Sequence, residues 1–134
     1  MVLRSFIVIS VLLLLRYGNA QHIEKDQLLG VWYHAVEEQT DDSISIFRPE
    51  GYELPRARGR EKMMFNPDNS YIYYQIAPAD GYLELKGDFK LDKENNELDI
   101  SYIKDQKKHK KKYKIVQLNT DILRLKLIDT FRNK

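Results

Sequence analysis

The sequence predicts an all-β domain, an eight-stranded antiparallel up-and-down barrel, and three observations carry that prediction. Apolar and charged residues alternate with period two, most clearly where Leu83, Leu85, Gly87, Phe89 and Leu91 are separated by Glu84, Lys86, Asp88 and Lys90. One apolar and one charged face is the pattern of a half-buried antiparallel strand. Turn-forming clusters punctuate the chain at Thr40-Asp41-Asp42, Asn66 to Asn69, Ala77 to Gly81, Asp92 to Asn96 and Asn119-Thr120-Asp121. Eight short segments rich in Tyr, Ile, Leu and Phe lie between them, enough to close a sheet on itself and remove its edges. A β-sandwich of the same strands with a filled interior is the competing architecture.

Before the strands comes a leader. Met1 to Arg4 is a short basic start, Phe6 to Leu15 is an apolar run broken only by Ser10, and Gly18-Asn19-Ala20 offers small residues for cleavage. Charge, apolar run and small residues in that order describe a secretory signal peptide. The run is shorter than the roughly 20 residues that cross a bilayer as a helix, although an uncleaved anchor or a buried helix is the alternative. Residues 1–20 are therefore expected to be removed, leaving 21–134 as one secreted domain with no transmembrane segment. The leader holds Arg4 and Arg16 and no acid, so the formal charge of +2 belongs to it and the remainder is balanced. Charge effects must then come from local patches.

In chain order, His22–Leu28 can form a helical turn, and strands are expected at about 29–38, 43–48, 60–66, 70–76, 82–91, 97–104, 111–118 and 122–128. Leu98, Ile100 and Tyr102 alternate with Asp99 and Ser101 in the sixth, and Leu123, Leu125 and Leu127 with Arg124 and Lys126 in the eighth. Helical spacing would scatter these charges around a cylinder. With no cysteine in the chain, the core alone must hold the fold.

Leu29-Gly30-Val31-Trp32 resembles the Gly-x-Trp pattern that marks the first strand of lipocalins. The resemblance implies that Gly30 permits close chain approach, that Trp32 plugs one barrel end, and that a basic residue after the last strand packs across it. Arg132 is the matching position, with Arg124 second. The stretch from Phe47 to Arg60, with Arg48-Pro49 and then Pro55-Arg56-Ala57-Arg58-Gly59-Arg60, looks like that of small lipocalin-like domains without an assigned activity. With Asp80-Gly81 and Leu118 to Leu123, the resemblance covers most of residues 21–134. It implies a ligand-binding barrel. The chain departs from the larger transporters in its length, its lack of a disulfide and its lack of a C-terminal helix, which leaves a narrow or filled interior open.

Three groups of residues point to binding chemistry. Arg56, Arg58 and Arg60, with Arg48, lie on a loop stiffened by Pro49 and Pro55, and arginine forks bind carboxylate or phosphate bidentately. They can equally pair with Glu37, Glu38, Asp41 and Asp42 and fasten the loop. Lys107, Lys108, Lys110, Lys111 and Lys112, around His109, are expected at the tip of the sixth hairpin. There they would attract a polyanion or matrix surface, or merely solubilise a turn. Tyr71 and Tyr73, with Met64, are placed to line a site for an apolar or amphipathic molecule, apolar along the ring and polar at the tip. Strand propensity and ordinary core packing explain them as well.

Other chemistry is disfavoured. Zero cysteines exclude a thiol nucleophile and thiolate metal sites. His22, His34 and His109 sit on separate segments without metal-ligand spacing, so no metal or cofactor is expected. No nucleophile elbow or phosphate loop occurs, and no enzymatic activity is expected. Nor is nucleic acid, since no aromatic residue interleaves the lysines. The expectation is a secreted barrel that binds a small hydrophobic or amphipathic ligand. The alternative is an extracellular matrix, structural or polyanion-interacting protein acting through surface charge.

Overall fold

The computed structural model describes residues 22–79 and 81–132, so the expected leader lies outside the described residues. After a short helix α1 (Lys25–Leu28) come strands β1 (Gly30–His34), β2 (Ile44–Pro49), β3 (Lys62–Phe65), β4 (Ser70–Ile76), β5 (Tyr82–Asp92), β6 (Glu97–Lys104), β7 (Lys107–Leu118) and β8 (Leu123–Arg132). All strand pairs are antiparallel and the sheet closes into a barrel in the order β1-β2-β8-β7-β6-β5-β4-β3. The expected eight-stranded antiparallel up-and-down barrel is the observed fold, and the sandwich is not.

From β3 to β8 each strand lies beside the next in a meander, whereas β1 sits between β2 and β3. Two strands that both run antiparallel to β1 must point the same way. The segment 50–61 therefore has to travel from one barrel end to the other across β1, which gives the long arginine loop its length. Arg48 and Arg60 pin its two ends, as described below.

Several element boundaries differ from the sequence expectation. The first strand stops at His34 and gives way to a 3-10 turn at Val36–Glu38, because Ala35 donates its N–H to Ile46 and the chain then turns back. The last strand continues to Arg132, so that residue lies within β8, opposite His109, and does not follow it. The largest change concerns the lysines. The turn between β6 and β7 is only Asp105-Gln106, both with positive φ (53° and 63°), so Lys107–Lys112 is strand and not tip. A two-residue turn of this hand matches the twist of the flanking strands. It lacks the usual Asn-Gly signature, so sequence did not mark it. Lysine has poor strand propensity, but pairing on both sides, with β6 and with β8, overrides it.

The core fills one end of the barrel. Ile23, Leu28, Trp32, Phe65, Tyr71 and Phe89 are buried there, and Phe65 packs edge-on against Phe89 at 5.0 Å between ring centroids. The Gln27 side chain accepts from the Glu24 N–H and closes the first turn of α1, and Lys25 donates to the Pro67 carbonyl at 2.7 Å, which holds the helix over this end. Trp32 donates its indole N–H to the Leu28 carbonyl at 2.8 Å, so the plug is tied to the helix above it. Gly30 has φ +112°, a conformation that favours glycine, and a Cβ there would meet open space, so the glycine serves the backbone angle and not the close chain approach that was expected of it.

Candidate functional site: a half-hollow barrel

Beyond the packed end the barrel interior opens into a cavity of about 190 Å³, lined by His34, Ser45, Phe47, Glu61, Met63, Tyr71, Tyr73, Ile100, Tyr102, Lys111 and Tyr113. Strand register explains the set. Met63 lies opposite Tyr73, Ile100 opposite Lys111, and Ser45 opposite Leu125, so residues at alternate positions of six segments meet inside. Because β1 rises from the plugged end, His34 and Glu61 mark the other end. The β6–β7 turn lies there too, since β6 runs in the same sense as β1.

The lining is aromatic and polar together. Tyr73 donates its hydroxyl to Glu61, and His34 is hydrogen-bonded to Gln39. Tyr73 and Tyr102 are 6.0 Å apart, and Tyr102 stacks on His109 at 5.3 Å. Lys111 places its ammonium 5.7 Å from the Tyr102 ring. Among the described residues it has no carboxylate within ion-pair distance, unlike Lys112 with Glu97 and Asp99. The carboxylate that shares the lining, Glu61, is engaged by the Tyr73 hydroxyl.

Burial dominates the phenols. It raises Tyr71 and Tyr73 well above the usual range, with Glu61 adding to the effect at Tyr73, and it raises Tyr113 although Lys111 pulls the other way. All three stay protonated near neutrality and present O–H groups. An unfolded phenol ionises near pH 10, so above that pH the folded state holds more protons than the unfolded one and stability falls as pH rises. Phenolate absorbance from these tyrosines is expected to appear together with loss of the circular-dichroism signal of the sheet. Full titration with the sheet signal intact would contradict this burial.

The arginine loop is fastened from both ends. Arg48 donates to both Glu38 oxygens at 2.8 and 2.9 Å and to the Asp121 carbonyl, and its guanidinium stacks 4.4 Å from the Tyr52 ring. That pairing holds the Glu38 carboxyl below its ordinary range. Arg60 donates to Glu37 at 2.7 Å and to the carbonyls of His34 and Pro55. Its fork is thus committed within the protein, as the loop-fastening alternative required. Arg56 and Arg58 are exposed on the loop, away from the lining.

Of the residues expected at a ligand site, Tyr71 and Tyr73 line the cavity. Met64 shares a row with Val31 and Ile72, while its neighbour Met63 takes the interior place. Lys111, expected on a basic tip, enters the lining because the lysine run is a strand and alternates. Sequence reasoning missed Glu61 and His34; His34 shares the even parity of the buried Trp32 on β1, which was the available signal, whereas Glu61 lies in the loop before β3. The side chain of Arg132, expected to pack across Trp32, lies outside the described ones, and among the described side chains no basic group stacks on Trp32. No three His, Asp or Glu side chains converge on a metal-sized site among those residues. Compared with known protein families, curated proteins and solved structures, the chain matches none of them.

Proposed function

We propose that this protein is a secreted, lipocalin-like barrel that binds a compact amphipathic molecule in its interior, with an acidic group turned toward Lys111. The observation that carries the reading is the cavity itself, lined by four tyrosines and by Lys111, whose ammonium has no carboxylate within ion-pair distance among the described residues. Its volume of about 190 Å³ lies below the roughly 300 Å³ at which pockets for drug-sized ligands begin. It exceeds the roughly 150 Å³ that accommodates a benzene ring. A single ring bearing one carboxylate fits these limits, and a long lipid does not. The Gly-x-Trp resemblance and the leader-like residues 1–20 support the barrel's role and its extracellular setting.

Calorimetric titration with benzoate, benzyl alcohol and benzylamine tests the reading. Benzoate is expected to bind best, and Lys111→Met to weaken it by 10- to 100-fold, since a charge-assisted hydrogen bond contributes about 1.5–3 kcal/mol. Met keeps the apolar stem, so the thermal midpoint should hardly move. Failure of every such ring to bind, or equal binding of all three, would remove the basis for an anion-selective lumen.

A further inference from the structure

We infer that the outer face of β7 is a binding site for a linear sulfated polysaccharide, independent of the lumen. Strand alternation splits the lysine run: Lys111 enters the barrel, whereas Lys108, Lys110 and Lys112 share the opposite, outward parity. At about 3.4 Å rise per residue the outward lysines stand about 7 Å apart, inside a Debye length of about 8 Å at physiological salt. Their potentials add.

These lysines face an open groove of about 710 Å³, whose lining also includes Lys90, Asp88, Asp99, Phe131 and Lys111, the last shared with the lumen. The groove is only partly neutralised. Lys112 has Glu97 at 3.7 Å and Asp99 at 3.9 Å, and Asp88 accepts a hydrogen bond from the Ser101 hydroxyl. Lys90, Lys108 and Lys110 have no carboxylate within ion-pair distance among the described residues. Residues 21–134 carry equal numbers of basic and acidic side chains, so this surplus is a local feature and not a reflection of overall charge.

The geometry selects the partner. Backbone pairing with β6 over Lys108–Lys112 and with β8 over His109–Lys112 leaves this stretch no free edge, so recognition must go through side chains. Lysine is a compact, rotatable point charge, suited to sulfates displayed along a flexible chain. A recess suits a strand-like polymer better than a flat bilayer, and a groove whose one exposed ring is Phe131 provides no series of stacking platforms for bases.

Retention on immobilised heparin over a salt series, with calorimetry on a heparin octasaccharide, tests the site. The full processed chain is expected to bind, and desulfated octasaccharide to bind at least tenfold more weakly. Combined Lys108→Gln, Lys110→Gln and Lys112→Gln should cost tenfold or more and flatten the dependence of log K on log salt by about two to three units. The control triple Lys25→Gln, Lys93→Gln and Lys126→Gln should cost no more than about twofold. Tyr73→Phe, a change confined to the lumen lining, should leave heparin binding unchanged, which separates this site from the lumen. Equal losses in the two triples would overturn the inference, as would loss in Tyr73→Phe or absence of binding at physiological salt. Tighter binding to phosphatidylserine vesicles or to single-stranded DNA would overturn it as well.

Discussion

Replacing Gly87 with alanine is expected to lower the thermal midpoint by about 10 °C or more, the effect of about 3 kcal/mol or more on a domain of this size. Gly87 lies on the inward face of β5 between Leu85 and Phe89, opposite Tyr102 of β6. A Cβ built there would sit 1.8 Å from the Ser101 carbonyl oxygen and 2.6 Å from the Tyr102 Cα. Both are backbone atoms, so no side-chain rotation relieves the clash. To reach ordinary contact β6 must move by more than an ångström, which breaks the ladder on both of its sides. Overpacking usually costs about 1–3 kcal/mol, and a clash against a fixed ladder belongs at or above the top of that range. Gly59 provides the control: its added Cβ would meet only the Ile76 side chain, at 3.4 Å. Thermal melts of the two variants decide the matter, and a Gly87→Ala protein as stable as Gly59→Ala would refute the close approach.

Truncating Phe65 to alanine should remove about 3–5 kcal/mol, a large share of the roughly 5–15 kcal/mol that holds a domain together. Phe65 is 1% exposed and touches two rings, Phe89 edge-on and Tyr71 at 5.2 Å. Such pairs add about 0.5–1.5 kcal/mol beyond area burial, and the plugged end has no disulfide to compensate. Phe65→Leu keeps most of the volume and should cost less. Urea unfolding read by Trp32 fluorescence measures both, since Trp32 is buried in the same cluster. A loss under about 1 kcal/mol for the alanine variant would mean that this end is not the main core.

The fold was legible where alternation was strong. The stretch Leu83 to Leu91, the Leu98-Ile100-Tyr102 series and Leu123-Leu125-Leu127 gave β5, β6 and β8, and their apolar members are the buried ones apart from the exposed Leu83 and Leu127 and the half-buried Leu91. Legibility failed at Asp105-Gln106, where positive φ is adopted by residues that do not advertise it. That single missed turn put the lysines on a tip and hid Lys111 from the lumen. It failed again at Glu61, which lies in loop and enters the cavity only because the arginine loop returns across β1.

What the residues alone settled is the class of structure: period-two patterning, punctuated by turn formers and free of cysteine, commits the chain to an antiparallel all-β fold held by its apolar face. Closure into a barrel and not a sandwich was decided by the tertiary structure. Which side chains share the interior was decided by register and strand order. A shift of one residue exchanges the two faces of a strand, and the placement of β1 between β2 and β3 depends on contacts distant in sequence. The division of one lysine run into an interior cation and an exterior row is therefore a property of the folded barrel.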